Sequence, residues 1–126
     1  PGKRPLSSMT PTIVLKDGKP ILIIGSPGGS TIITTVMQII LNVLVYDMSI
    51  QQAVTASRFH SQWLPDDIMV EPFTIATDVR KNLLRKGHSI KFYRWGYIGQ
   101  ANGITITENG FYGGADSRGE NSAVGY

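Results

Sequence analysis

Apolar positions gather into short β-like runs at both ends of the chain and recur at helical spacing in between. Thr12–Lys16 is β-branched and apolar and predicts a strand. Asp17-Gly18 is a strong two-residue hairpin signal, and Lys19–Gly25 is the return strand. Over residues 30–45, Ile32, Ile33, Val36, Met37, Ile40, Val43 and Leu44 recur three and four apart, which predicts a helix with Ser30 as its N-cap. That helix is apolar around most of its circumference, so burial between two layers is expected.

Ser49-Ile50-Gln51-Gln52 has the form of a capping box and predicts a second helix over 50–57. Residues 58–65, holding Phe59, His60 and Trp63, read as irregular, and 68–71 as a short strand. Thr77 is the expected cap of a third helix, with Val79, Leu83 and Leu84 inward and Gly87 just past its end. Residues 89–94 alternate as a strand does. Strands at Asn102–Thr107 and 111–113 flank the turn Glu108-Asn109-Gly110. Residues 1–11 read as irregular and 114–126 as a glycine- and charge-rich tail. The order β-β-α-α-β-α-β-β-β predicts an α+β arrangement with mainly antiparallel sheet layered against helices, and argues against a doubly wound nucleotide fold.

Composition narrows the class. A chain of 126 residues that is 41% hydrophobic can bury a core and amounts to one domain or a piece of one. The net charge of +3 is too small and too dispersed for a nucleic-acid footprint. Arg80, Lys81, Arg85 and Lys86 fall in one predicted helix and read as its solvated face. No cysteine is present, which excludes disulfides and a thiol nucleophile, and His60 and His88 lack metal-ligand spacing. The most apolar stretch, residues 32–45, contains Thr34, Thr35, Gln38 and Asn42 and is too short to cross a bilayer. No secretory leader is legible in the opening residues.

The stretch with the clearest chemical meaning is Gly25-Ser26-Pro27-Gly28-Gly29-Ser30, placed between a strand and a helix N-terminus. Helix N-termini carry unpaired N–H groups and partial positive charge. Gly28 and Gly29 permit backbone angles closed to other residues and a close approach by a ligand. Two such N–H groups can hold a carboxylate, a phosphate or a transient oxyanion; a tight strand-to-helix turn is the structural alternative. The P-loop and dinucleotide patterns are both absent. Ser7-Ser8 offers two hydroxyls able to grip a carboxylate, or a local serine turn. No nucleophile stands beside a base in a recognisable motif. His60 reads as structural, Asp66-Asp67 as a turn, and Asp116, Arg118 and Glu120 as a surface ion cluster.

In combination these motifs are specific. The segment from Gly2 through Ser7-Ser8 to Val14 resembles the serine-pair segment of γ-glutamyltranspeptidases, and the glycine stretch resembles their glycine loop at the expected separation. Residues 58–66 (Arg-Phe-His-Ser-Gln-Trp-Leu-Pro-Asp) and the closing Ala123-Val124-Gly125-Tyr126 are similar to that family as well, so the likeness runs end to end. The resemblance implies an N-terminal-nucleophile (Ntn) hydrolase with a four-layer αββα sandwich, cut from a precursor into a large and a small subunit. It implies that residues 1–126 are a single partial domain, roughly the C-terminal two-thirds of the small subunit.

By the same resemblance, Ser7 and Ser8 bind the donor's α-carboxylate, and the Gly28 and Gly29 N–H groups form the oxyanion hole. The donor is glutathione or a related γ-glutamyl compound, and the acceptor is water, an amino acid or a peptide. No cofactor and no metal are implied. The threonine nucleophile lies outside the chain, because Thr10 and Thr12 lack the free α-amine that would serve as base; residues 1–126 alone are therefore expected to be inactive. The partners implied are the large subunit and the rest of the small subunit, with no nucleic acid and no membrane insertion, and the location is periplasmic or extracellular. The chain departs from the family pattern at Thr31, where arginine is frequent, and at Ser117, where proline follows the aspartate; residues 96–104 match only loosely. These differences bear on the acceptor more than on the donor. The alternatives are a non-catalytic anion-binding module and a relative acting on glutaryl or poly-γ-glutamate substrates.

Overall fold

The computed structural model describes residues 1–4 and 7–125. Pro5, Leu6 and Tyr126, which belong to the family-like motifs, lie outside the described residues. In chain order the elements are β1 (Thr12–Lys16), β2 (Lys19–Gly25), α1 (Ile32–Leu44), α2 (Ile50–Thr55), β3 (Phe59–His60), β4 (Ile68–Val70), α3 (Thr77–Arg85), β5 (Ile90–Phe92), β6 (Asn102–Thr107) and β7 (Gly110–Ala115). The expected α+β class with mainly antiparallel sheet is what the structure has. Four strands form one antiparallel sheet in the order β1-β2-β6-β7, and β3-β4-β5 form a second, smaller sheet.

Local chemistry explains the hairpins. Asp17 and Gly18 both take left-handed angles (φ 51° and 75°), as a two-residue type I′ turn requires, and its twist matches that of the flanking strands. Thr12 pairs with Ile24, Gly25 with Asn102, and Asn102 with Ala115. The start of β1, the end of β2, the start of β6 and the end of β7 therefore share one end of the sheet. Every segment with candidate chemistry leaves the sheet there.

The core lies between this sheet and the first two helices. Leu22 and Ile24 of β2 pack with Ile32, Val36 and Ile39 of α1, with Ile50, Ala53 and Val54 of α2, and with Ala101. Ser49 caps α2 as a capping box: the Gln52 N–H donates to Ser49 Oγ, and Gln52 Oε1 accepts from the Ser49 N–H. The helix ends at Thr55, two residues short of the expected end.

Other expectations are corrected. Ser30 is not the cap of α1; residues Gly29–Thr31 form a 3-10 turn and Thr31 takes the cap position. Ala76, not Thr77, occupies the cap of α3, because Thr77 already has helical geometry. α3 buries none of its described residues, and Val79 and Leu84, expected to face inward, are exposed. Phe59 and His60, expected to be irregular, pair with Val70 and Met69. β4 and β5 pair in parallel across α3, an arrangement that strand patterns alone do not distinguish from antiparallel pairing.

α1 is covered on one side only: Val36 and Ile39 are buried, while Ile33, Met37 and Leu41 are exposed. The sheet behaves likewise. Ile13, Ile23 and Ile104 stand opposite one another on neighbouring strands, on the face away from the helices, and all three are exposed. The second layer expected on α1 is not among the described residues. Near-continuous apolar runs such as Ile21 to Ile24 are the pattern of a strand covered on both faces.

A close approach of α2 to the sheet sets one prediction. A Cβ at Gly114 would lie 2.9 Å from the backbone carbon and oxygen of Ile50. Gly114→Ala should destabilise the fold by about 1–3 kcal/mol through overpacking. The check is a lower urea midpoint with an unchanged m value.

Candidate active site

The glycine turn is built by β2 ending at Gly25 and α1 beginning at Ile32. Gly28 has φ 142° and ψ 11°, and Gly29 has φ 57°, both closed or costly to residues with a side chain. At Gly28 there is no room either, since a Cβ would lie 2.6 Å from Thr31 Oγ1. The turn is tied back on itself: Thr31 Oγ1 and the Thr31 N–H donate to the Gly28 carbonyl at 2.9 and 3.2 Å. Among the described residues, neither the Gly28 nor the Gly29 N–H donates to a protein acceptor. Gly28 borders an open cleft of about 350 Å³ whose walls include Pro27, Thr31, Trp95, Tyr97 and Gln100.

Ser7 and Ser8 precede β1, whose first residue, Thr12, pairs with Ile24 at the glycine-turn end of the sheet. They do not line the Gly28 cleft. Ser7 is exposed, and its Oγ accepts the Met9 N–H at 3.3 Å, a local serine turn; Ser8 is half-buried, and its carbonyl accepts from Thr10 Oγ1. The serine segment thus enters the sheet at the end where the glycine turn leaves it, and the serine hydrogen bonds described are local.

A buried ion network stands behind the turn. Asp116 is not on the surface: it is fully buried, as is Arg58, and Arg58 Nη2 donates to Asp116 Oδ2 at 2.7 Å. Arg118 is bidentate on Glu71, with Nε to Oε1 at 2.8 Å and Nη2 to Oε2 at 2.6 Å, and its Nη1 donates to Asp116 Oδ1 at 3.0 Å. Glu120 is exposed and stands outside this group. The remaining donors, Arg58 Nε excepted, go to backbone. Arg58 reaches the carbonyls of Val54 and Ile98, and Arg118 those of Val54 and Ala56, which are last-turn carbonyls of α2 that would otherwise lack partners. Glu71 in turn accepts the N–H groups of Arg58 and Ile98, and Asp116 those of Ala101 and Arg118.

Sequence reasoning missed Arg58 and Glu71 and misplaced Asp116 and Arg118. The partners are 47 and 58 residues apart, so no local period marks them. His60 is structural, as expected. It is buried, with Nδ1 2.8 Å from Thr34 Oγ1 and Nε2 3.0 Å from Gln62 Oε1. Asp67 pairs with Lys91 beside the second sheet.

Burial pushes the Asp116 carboxyl up, but the N–H groups of Ala101 and Arg118 and the Arg58 guanidinium outweigh it and hold the group below the usual carboxylate range. Burial lowers Arg58, while Glu71 and Asp116 overcome burial and raise Arg118; both arginines remain cations. A depressed native value at Asp116 stabilises the folded state fully above the unfolded pKa of about 3.9, and that stabilisation is lost as pH falls through the native value. Asp116→Asn should therefore cost about 3–5 kcal/mol at neutral pH, by leaving Arg58 buried without its counter-charge. It should also flatten the acid limb of stability against pH, and thermal melts from pH 2 to 7 read both effects.

Comparison with known proteins gives a consistent picture. A family model described as Gamma-glutamyltranspeptidase matches residues 1–126. The glutathione hydrolase proenzyme of Escherichia coli (strain K12) is 46% identical over 119 residues, covering 94% of this chain and 20% of that protein. The chain thus spans about a fifth of the length of the curated relatives it matches. Among solved structures, a mutant of Helicobacter pylori gamma-glutamyltranspeptidase superposes with a TM-score of 0.86 at 50% identity, covering 94% of this chain and 64% of that one. The gamma-glutamyltranspeptidase of Pseudomonas nitroreducens, complexed with L-DON, gives a TM-score of 0.90 at 34% identity, covering 100% and 66%.

Proposed function

Because the chain belongs to the γ-glutamyltranspeptidase family, we propose that it forms the oxyanion-stabilising and donor-binding part of an enzyme that cleaves the γ-glutamyl amide of glutathione and related donors. The acyl group passes to water or to the amine of an amino acid or peptide. The observation that carries this reading is the Gly28-Gly29 turn, with left-handed angles, two N–H groups without a protein acceptor among the described residues, and a cleft in front of it.

In this reaction the nucleophile is a threonine hydroxyl supplied by another segment of the same precursor. As it attacks the γ-carbonyl carbon, negative charge develops on the carbonyl oxygen. The Gly28 and Gly29 N–H groups donate to that oxygen from a backbone already fixed in place, so little reorganisation is needed as the charge forms. The amine leaves with a proton, and the γ-glutamyl ester left on the threonine is resolved by water or by an acceptor amine. Ser7 and Ser8 hold the donor's α-carboxylate, which sets the register of its γ-carbon. The entry of their segment into β1 at the glycine-turn end of the sheet supports this role. Residues 1–126 are part of one domain completed by the rest of the small subunit and by the large subunit. The enzyme works in the periplasm or outside the cell.

Two variants test the assignment in the processed enzyme that carries this chain. Gly28→Ala should lower kcat by about 10²–10³ with little change in donor KM, followed by p-nitroaniline release from γ-glutamyl-p-nitroanilide. Ser7→Ala together with Ser8→Ala should raise KM for glutathione about tenfold or more through the loss of hydrogen bonds to a charged group. Hydrolysis of glutaryl-p-nitroanilide, which has no α-carboxylate, should be unchanged. Equal losses on the two donors would favour a glutaryl-type substrate.

A further inference from the structure

An aromatic turn forms part of the wall of the cleft that Gly28 borders. Chain leaving β5 bends through residues 93–97, where the Tyr93 N–H donates to the Val70 carbonyl at 2.9 Å, the Gly96 N–H to the Tyr93 carbonyl at 3.0 Å, and Gly96 takes φ 83°. Trp95 and Tyr97 emerge 68% and 61% exposed. The guanidinium carbon of Arg94 lies 4.1 Å from the Trp95 ring centroid, a cation–π contact that steadies the indole.

The residues that follow fasten this turn to the glycine turn. The Gln100 N–H donates to Ser26 Oγ at 3.2 Å, and a Cβ at Gly28 would lie 3.4 Å from the Gly99 Cα. Gly99 itself has φ 69° and no room for a side chain, since a Cβ there would meet Thr35 Oγ1 at 2.7 Å. The rings and Gly28 therefore share one cleft at a fixed separation. Among the described residues no carboxylate lines it, and the one guanidinium at its edge, Arg118, has every nitrogen engaged with Glu71, Asp116 or backbone carbonyls. What the cleft offers a ligand is aromatic surface in the same hollow as Gly28.

Resting on the function proposed above, we propose that this cleft takes the amine side of the reaction, first the leaving amine and then the acceptor, and that Trp95 and Tyr97 make it select acceptors with an aromatic side chain. Acylation and transfer to an amine are each other's reverse, so the entering amine occupies the place the leaving amine vacated. In the transfer step the neutral acceptor nitrogen attacks the acyl carbon and a C–N bond forms. The ester C–O bond to the nucleophile breaks, and the proton lost by nitrogen goes to the nucleophile oxygen. An aromatic acceptor side chain gains ring–ring contact with Trp95 and Tyr97 that a small acceptor lacks.

The test uses the processed enzyme with glutathione as donor and compares kcat/KM for transfer to L-phenylalanine and to glycylglycine. Trp95→Ala and Tyr97→Ala should each lower the phenylalanine-to-glycylglycine ratio about tenfold, whereas Trp95→Phe should retain it. Variants that release glutamate from glutathione but leave the ratio unchanged would overturn this proposal alone and mark the aromatic turn as a surface covered by another part of the protein. An unaltered enzyme that releases no glutamate from glutathione would overturn the proposed function and this proposal together.

Discussion

The structure depends on two arginines and two carboxylates buried together behind the sheet end. Arg58, Glu71, Asp116 and Arg118 sum to no net charge. Taking four ions out of water costs several kcal/mol each, and only near-complete pairing recovers it. Pairing here is nearly complete: Arg58 Nε is the one nitrogen of the two guanidiniums that is buried without a partner among the described residues. The network joins four separate stretches of chain, namely the end of α2, the residue after β4, the 98–101 segment and the exit from β7. Removing any one of the four ions strands a charge in the interior, so the arrangement is held all or none.

That constraint reaches the glycine turn in two steps. Asp116 and Glu71 fix the 98–101 segment through the N–H groups of Ala101 and Ile98. That segment then presses Gly99 against Gly28 and hands the Gln100 N–H to Ser26. The turn that would hold an oxyanion is thus positioned from behind by an ion network of which only Arg118 reaches the edge of the cleft. Such a division suits a site whose donors must stay still while charge develops.

The opposite faces are left open. α1 turns Ile33, Met37 and Leu41 outward, and the sheet shows Ile13, Ile23 and Ile104 on the side away from the helices. Apolar rows of this kind on both outer surfaces fit a chain that spans about a fifth of its curated relatives.

The sequence by itself determined most of what is local. Asp17-Gly18 dictates its hairpin because two consecutive left-handed residues are needed there, and Ser49 with Gln52 dictates the start of α2 because each satisfies the other's backbone. The glycine stretch was legible as a strand-to-helix turn, since the strand before it, the helix after it and its two glycines all lie within a few residues. The family was legible because its motifs keep their order and spacing. Only the tertiary structure decided what lies across long separations. It made Asp116 and Arg118 buried partners of Arg58 and Glu71 rather than surface charges, it set β4 parallel to β5, and it drew Trp95 and Tyr97 up to Gly28. Periodicity reports which face of an element is covered, but not by what. A charge looks the same in sequence whether it meets water or a counter-ion 58 residues away.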